Sequence, residues 1–188
     1  MILGVSNKHI HLTQEHVEIL FGKGHELTKI KDLVQPGQFA AEECVQVIGP
    51  KGQFPKVRVL GPVRPESQVE ISKTDARTLG VKAPVRESGK LEGTPGIKLV
   101  GPCGEVELDH GVIVAARHIH FSTEEAKAFG VVDKQLVGVK TTGDRKVVFG
   151  DVICRVKDSF KLEMHLDTDE ANAAGVGNNE YLEIVENI

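Results

Sequence analysis

Aromatic side chains are scarce in this chain of 188 residues, which has seven Phe, one Tyr and no Trp. A core without large rings has to be filled by aliphatic side chains. Val and Ile, whose β-branched side chains favour strands, are abundant in the sequence. We therefore predict a mainly β protein.

Other absences exclude whole classes of protein. The three cysteines, Cys44, Cys103 and Cys154, form no CxxC motif, which argues against a disulfide framework and against a cysteine-rich zinc site. No apolar run reaches the roughly 18 residues of a membrane helix, and the first residues resemble no signal peptide, so we expect a cytoplasmic protein. The net charge of −4 gives no general attraction to nucleic acid or to an anionic membrane. No glycine-rich nucleotide-binding motif follows a predicted strand.

Histidine is plentiful, with eight residues, and four of them lie in two copies of one motif. The segment from His9 to Glu15, HIHLTQE, recurs 109 residues later as HIHFSTE, from His118 to Glu124. A second similarity, at an offset of 95 residues, relates segment 69–81 to segment 164–176. Two copies of such a context indicate an internal duplication.

Short apolar or alternating runs between Gly- and Pro-containing turns predict many strands and few helices. Each HxH is followed by a helix start, with Thr13 or Ser122 as the N-cap, and helices over 74–79 and 168–174 are expected to end at Gly80 and Gly175. We predict two pseudo-symmetric small β-barrels with short capping α-helices: a first repeat over 1–86, a linker with connecting strands over 87–110 and a second repeat over 111–188. The predicted strands cover 3–6, 44–48, 56–60, 69–72, 97–100, 106–108, 112–116, 136–141, 146–149, 152–156, 162–166 and 181–185.

The duplication also points to metal ligands. Residues i and i+2 of a strand share one face, so the two rings of an HxH can converge on one metal ion or flank two neighbouring ions. Under the 95-residue offset, Glu70 corresponds to His165, so each half offers an HxH and one further ligand. Five imidazoles and one carboxylate suit zinc, with cobalt, nickel or iron also compatible, and they exceed the needs of one tetrahedral ion. The sequence predicts two ions with open positions, held by His9, His11, Glu70, His118, His120 and His165.

Basic residues accompany these ligands in an otherwise acidic chain. Lys8, Lys31, Arg58 and Arg64 precede Glu70 in the sequence. Guanidinium groups pair bidentately with phosphate, so an anion beside the metal is expected, although a solvated basic face explains each residue equally well. The other three histidines, His16, His25 and His110, have no partner at metal-ligand spacing and are interpreted as ordinary structural residues.

These motifs, taken in order, resemble one family. The segments are GVSNKHIHL from Gly4, Arg64 ahead of Glu70, RHIH from Arg117, and HLDTDEAN from His165. They are similar to the phosphate propanoyltransferases, the PduL-type phosphotransacylases, along essentially the whole chain. The resemblance implies that acyl-CoA and phosphate are converted reversibly to acyl phosphate and CoA on two zinc ions. It also implies that the N-terminal strand joins the C-terminal barrel.

The resemblance also implies residue roles and partners. The six ligands above would bind zinc, and Arg64 would be the catalytic residue that contacts phosphate. The partners would be acyl-CoA, CoA and inorganic phosphate, in a homo-oligomer that works with an acetate or propanoate kinase, as in propanediol degradation, with no nucleic acid or membrane partner. Microcompartment members carry a further N-terminal peptide, whereas three residues precede Gly4 here, so a cytoplasmic form is expected unless that peptide is missing. The implied CoA contacts are Val5, Ser6, Asn7, Lys31, Arg58, Leu60 and Asn172.

Two other functions remain open from the residues alone. A binuclear metallohydrolase, such as a thioesterase, would use a metal-bound water in place of phosphate. A metal-stabilised binding module with two barrels would carry out no reaction. For the transferase, we expect direct transfer without an acyl-enzyme, because none of the cysteines belongs to a repeated motif.

Overall fold

The computed structural model describes residues 1–188 and confirms the predicted mainly β class, with 40% strand and 15% helix. The strands form two curled half-barrel sheets, accompanied by four short helices. None of the four helices combines the length and the apolar character that a membrane-spanning helix requires. In chain order the elements are β1 (Leu3–Ser6), β2 (His9–His11), α1 (Gln14–Phe21), β3 (Lys29–Asp32), β4 (Phe39–Ile48), β5 (Gln53–Gly61), β6 (Gln68–Glu70), α2 (Lys73–Leu79), β7 (Val85–Arg86), β8 (Ile97–Val100), β9 (Glu105–Leu108), β10 (Val112–Ala115), β11 (His118–Phe121), α3 (Thr123–Phe129), β12 (Leu136–Lys140), β13 (Val148–Val156), β14 (Glu163–Asp167), α4 (Thr168–Ala174) and β15 (Glu183–Val185).

The chain divides into two compact units. The first unit consists of Lys8–Leu33 and Gly37–Ala115, and the second unit of Met1–Asn7, Val34–Pro36 and Ala116–Ile188. These units are defined by contacts in the fold, whereas the predicted boundaries at residues 86 and 111 separate two repeats of the sequence. The repeat boundaries therefore stay a prediction.

The sheet of the first unit has the strand order β7-β10-β6-β2-β5-β4-β8-β9, and β3 pairs with β4. The short strand β2 lies between β6, which is antiparallel to it, and β5, which is parallel to it. This arrangement pairs His9 with Glu70 on one side and with Arg58 on the other. Between the two histidines, Ile10 points to the opposite face and is fully buried in an aliphatic core.

The sheet of the second unit has the strand order β1-β14-β11-β13-β12-β15. Its HxH strand, β11, again lies between an antiparallel strand, β14, and a parallel strand, β13. His118 is paired with His165 and with Ile153, and Ile119 is fully buried. The N-terminal strand β1 pairs in parallel with β14 and completes this sheet.

The two hairpins of the first unit pack against helix ends through glycine. In the β4–β5 turn, a Cβ atom at Gly49 would lie 2.3 Å from the carbonyl oxygen of Leu79, at the end of α2. In the β8–β9 turn, a Cβ atom at Gly101 would lie 2.3 Å from the carbonyl oxygen of Leu20, near the end of α1. Both turns therefore require glycine for close approach, and each fixes a helix that follows a strand carrying candidate ligands.

The predicted N-caps of α1 and α3 and the predicted ends of α2 and α4 are confirmed, and α2 begins at Lys73, one residue before its predicted start. Thr13 and Ser122 accept hydrogen bonds from the backbone amides three residues later, and Ser122 forms a capping box with Glu125. Gly80 and Gly175 adopt the left-handed conformation that ends α2 and α4. The first residue of each helix therefore follows directly from the sequence of its cap.

The strand predictions need several corrections, and strands β2 and β11, which carry the HxH motifs, were not in the predicted set. The predicted strands over 146–149 and 152–156 form one strand, β13, because the chain passes Asp151, with a positive φ of 50°, as an irregularity in the pairing with β12 rather than as a turn. Strand β3 was missed because all four of its residues are exposed, so it has no apolar alternation. The two-residue strand β7 was missed because it is short and both of its residues are exposed.

Candidate metal centres

The first cluster consists of His9 and His11 from β2 and Glu70 from β6, all three of them buried. One ligand atom from each residue lies within 4.8 Å of the others. Glu70 Oε2 is 3.5 Å from His9 Nε2, and Glu70 Oε1 is 3.8 Å from His11 Nε2. Ligands of a tetrahedral zinc ion with bonds of 2.0–2.1 Å are about 3.3 Å apart, so the spacing in this cluster is close to what the ion requires.

The charge states of this cluster suit a metal ion. Burial, with the neighbouring His9 and Arg64, lowers the pKa of His11 to about 3, so its imidazole is neutral. His11 Nδ1 lies 3.2 Å from the Leu60 carbonyl oxygen, and donation to it leaves Nε2 as the ligand atom. Burial alone would raise the pKa of Glu70, but His9, His11 and Arg64 hold it well below its ordinary value. Metals bind neutral imidazole and ionised carboxylate, which are the states that these pKa shifts favour for His11 and Glu70.

A hydrogen-bonded group connects Glu70 to Arg64. Ser88 Oγ donates to Glu70 Oε1 at 3.0 Å and accepts from Arg64 Nη1 at 3.0 Å. The Gln68 amide donates to the same Glu70 oxygen and to Ser88 Oγ, and the Gly89 backbone amide donates to Gln68 Oε1 at 2.7 Å. The Ser88 hydroxyl group therefore bridges the half-buried Arg64 and the carboxylate of Glu70, a candidate ligand.

The second cluster consists of His118 and His120 from β11 and His165 from β14. The three ring centroids are 4.7–5.0 Å apart. His118 Nδ1 lies 2.8 Å from the Ala116 carbonyl oxygen, so donation to that oxygen directs Nε2 toward the other two rings. Three imidazoles form a ligand set that zinc accepts with an open fourth position, as does the set of two imidazoles and one carboxylate in the first cluster.

Glu163 supports the second cluster. It is buried, its Oε2 lies 3.0 Å from His165 Nε2, and it accepts a hydrogen bond of 2.9 Å from Gln35 Nε2. His165 Nε2 is buried and makes no hydrogen bond of normal geometry despite this contact. Burial alone would raise the pKa of Glu163, but His165, Gln35 and His118 hold it below its ordinary value. An ionised carboxylate beside a ligand imidazole is a common outer support of a zinc site.

The predicted CoA contacts of the first unit lie at different depths. Lys31 is exposed on β3, whereas the half-buried Arg58 donates to the Ala41 carbonyl oxygen. Leu60 accepts the hydrogen bond from His11 through its carbonyl oxygen. Lys8, also considered for an anion, forms an ion pair of 3.0 Å with Asp75.

The predicted contacts of the second unit lie on β1, directly after β1 and on α4. Val5 and Ser6 are half-buried on β1, and the Val5 backbone amide donates to Asn178. Asn7 and Asn172 are exposed. All of these CoA contacts stay predictions.

The three remaining histidines have other partners and belong to neither cluster. His16 Nδ1 lies 2.7 Å from Ser67 Oγ, and His25 Nε2 lies 2.8 Å from Glu43. His110 lies between Asp109 and Glu66, which together raise its pKa.

Four supporting residues were missed from the sequence: Gln68, Ser88, Gln35 and Glu163. Gln68 and Glu163 had a signal, because the 95-residue offset makes them counterparts. Ser88 and Gln35 lie in loops outside the repeated segments, so only the fold identifies them.

Comparison with known proteins identifies the family of this chain. The family model described as phosphate propanoyltransferase matches residues 2–177. A phosphate propanoyltransferase of Thermotoga maritima is 56% identical over 187 residues, covering 99% of this chain and 89% of the relative. Those of Leptotrichia buccalis and Salmonella typhimurium are 61% identical over 170 residues and 56% identical over 177 residues, covering 90% and 94% of this chain and 81% and 84% of the relatives. The chain belongs to the phosphate propanoyltransferase family.

Proposed function

We propose that this chain is a phosphotransacylase that converts acetyl- or propanoyl-type acyl-CoA and inorganic phosphate reversibly to acyl phosphate and CoA. Family membership supports the reaction class. The observation that carries the proposal is the hydrogen-bonded connection from Arg64 through Ser88 to Glu70, because it brings an anion-binding group beside a metal-ligand cluster. A simple thioesterase has no need for such a group.

We propose two zinc ions per chain, one in each cluster. His9, His11 and Glu70 would hold one ion, and His118, His120 and His165 the other. Bound zinc would supply Lewis acidity toward carbonyl and phosphate oxygens.

Arg64 would bind and orient phosphate through its guanidinium group. Its backbone amide donates to the Leu12 carbonyl oxygen at 2.8 Å, and Ser88 fixes one side-chain nitrogen, so the group is held before substrate arrives. In the transfer, a phosphate oxygen forms a bond to the thioester carbon, the carbon–sulfur bond breaks, and the electron pair leaves with the sulfur. A thiol with an ordinary pKa of about 8.5 needs little protonation to leave.

No residue of this chain needs to carry the acyl group. Cys154 is fully buried, and burial, with the nearby Asp133, raises its pKa to about 11, so it is a poor nucleophile. Cys44 lies on β4 and Cys103 in the β8–β9 turn, and neither belongs to a ligand cluster. These positions support direct transfer.

One assay tests the function. Release of CoA thiol from acetyl- and propanoyl-CoA is followed with and without phosphate, together with the formation of acyl phosphate. Release that requires phosphate and yields acyl phosphate is the expected result. Release without phosphate would instead indicate a metallohydrolase, and no release from metal-replete protein would indicate a binding module. The CoA contacts, the homo-oligomer, the acyl kinase partner and the cytoplasmic location stay predictions.

A further inference from the structure

A basic residue directly precedes each HxH motif, and each forms the same pair of contacts within its own unit. Lys8 Nζ lies 3.0 Å from Asp75 Oδ1 and 4.6 Å from the centroid of the Phe54 ring. Arg117 Nη1 lies 3.0 Å from Glu170 Oε1, and its guanidinium carbon lies 5.4 Å from the centroid of the Phe149 ring. Asp75 and Glu170 lie in the repeated segments 69–81 and 164–176, but the sequence assigned no role to them or to the two rings.

The partners occupy equivalent positions relative to the ligands. Asp75 follows the third ligand of its cluster, Glu70, by five residues, and Glu170 follows His165 by five residues. The two rings lie on β5 and β13, the strands that pair in parallel with the HxH strands. Each basic side chain therefore connects its HxH strand to the parallel neighbouring strand and to the helix that follows the strand of the third ligand.

Each carboxylate also belongs to a helix cap. Asp75 accepts from the Ser72 backbone amide through Oδ2 while its Oδ1 meets Lys8, and Glu170 accepts from the Asp167 backbone amide through Oε2 while its Oε1 meets Arg117. The capping box fixes the carboxylate without help from the basic residue. The helix cap therefore fixes the position of the carboxylate, and the carboxylate in turn fixes the side chain of the basic residue.

From these contacts we infer that Lys8 and Arg117 are positioning residues for metal binding, an inference that rests on the proposed metal sites. Strands β2 and β11 have only three and four residues, so few ladder hydrogen bonds fix their first histidine. The ion pair holds the residue just before that histidine to the first turn of the helix that follows the third ligand. Loss of the basic group would let His9 or His118 shift away from Glu70 or His165.

Metal titration of the metal-free full chain tests the inference, with zinc in competition with a chromophoric chelator and with cobalt followed by its absorption spectrum. Wild-type protein should bind two equivalents. Lys8→Met should weaken one equivalent about tenfold, the effect of removing outer support from a ligand, and Arg117→Met should weaken one equivalent by a similar factor. The double variant should weaken both, and the cobalt spectrum should change with each substitution.

Three comparisons make the test specific. Lys8→Arg and Arg117→Lys should bind metal like the wild type, because arginine already occupies this position in the second unit and lysine in the first. Lys98→Met removes an equal charge from the Lys98–Glu105 pair of the first unit, 2.8 Å apart, and should leave both equivalents unchanged. Circular dichroism and unfolding of the metal-free variants measure stability separately.

Three results would overturn the inference. Unchanged affinities together with lower stability would make the pairs ordinary ion pairs. An equal effect of Lys98→Met would make the change one of net charge alone. A wild-type chain that binds no metal would refute the proposed metal sites and the inference with them, whereas either of the first two results would refute the inference alone.

Discussion

Replacement of Ser88 by Ala tests the connection between the first cluster and Arg64 by removing one oxygen atom. Ser88 Oγ donates to Glu70 Oε1 and accepts from Arg64 Nη1 and, at 2.8 Å, from Gln68 Nε2. Without the hydroxyl group, the ligand carboxylate loses a donor and two side-chain donors lose this acceptor. Both the metal site and the guanidinium group should therefore become less well ordered.

The magnitude follows from the number and burial of these bonds. Leaving a buried polar group unsatisfied costs about 1–3 kcal/mol. Outer groups that orient a metal ligand contribute roughly 10- to 100-fold in affinity, which is about 1.4–2.8 kcal/mol. We therefore expect Ser88→Ala to weaken one metal equivalent by roughly 10- to 100-fold. The KM for phosphate should also rise, because Arg64 loses a contact that holds it.

Metal titration and phosphate kinetics of Ser88→Ala measure both effects, with Ser67→Ala as the matched control. Ser67 is a buried serine of the same unit whose hydroxyl contacts the Thr13 backbone amide and His16, and it does not contact the cluster. Ser67→Ala should lower stability while leaving metal affinity and the KM for phosphate unchanged. An unchanged metal affinity and an unchanged KM for phosphate in Ser88→Ala would refute the bridging role of Ser88. Equal changes of these two quantities in Ser88→Ala and Ser67→Ala would refute it as well.

Four further predictions concern the reaction and the stability of the chain. Arg64→Ala should raise the KM for phosphate and lower kcat, and steady-state kinetics that show unchanged phosphate dependence would remove Arg64 from this role. The triple variant Cys44→Ser/Cys103→Ser/Cys154→Ser should keep most activity in the thiol-release assay, whereas a loss of several orders of magnitude with the fold intact would contradict direct transfer. Chelation should abolish activity and zinc should restore it, and metal analysis should find two ions per chain; full activity in thoroughly metal-free protein would contradict a metal role. Burial would raise the pKa of Glu43, but hydrogen bonds from His25 and the Thr28 amide lower it. The ionised Glu43 therefore stabilises the folded chain fully above its unfolded pKa of about 4.5, and this contribution is lost as the pH falls through the lower pKa of the folded state. Unfolding of metal-free protein between pH 3 and 6 should show this loss, and Glu43→Gln should reduce it; equal pH dependence of the two proteins would contradict this assignment.

The sequence could predict which candidate ligands come together in each cluster because the duplication repeats them. An HxH is visible as a local pattern, and the offset between repeats aligns Glu70 with His165 even though one is a carboxylate and the other an imidazole. The sequence could not predict that His9 pairs directly with Glu70, because strand register depends on packing between residues far apart in the chain. The caps of the helices were predictable for the opposite reason, since each depends on four neighbouring residues.

The sequence did not identify Ser88 and Gln35 as site residues because nothing local distinguishes them. Gln35 lies in a three-residue segment, Val34–Pro36, which belongs to the second unit although the chain on both sides belongs to the first. Ser88 follows the two-residue strand β7. Both are ordinary polar residues in turns, and only the fold brings them to Glu163 and Glu70.

The residue two positions before each third ligand differs between the units in a way that its neighbour explains. In the first unit the candidate ligand is Glu70, an acceptor, and Gln68 provides a donor to it. In the second unit the candidate ligand is His165, which offers a ring nitrogen, and Glu163 places a carboxylate oxygen beside it. Each cluster therefore has one carboxylate: Glu70 is a member of the first cluster, and Glu163 contacts a member of the second. Gln68→Glu alone would bring two carboxylates together in the first unit, whereas Glu163→Gln alone would leave only a neutral amide beside His165, so the two positions are not interchangeable between the units.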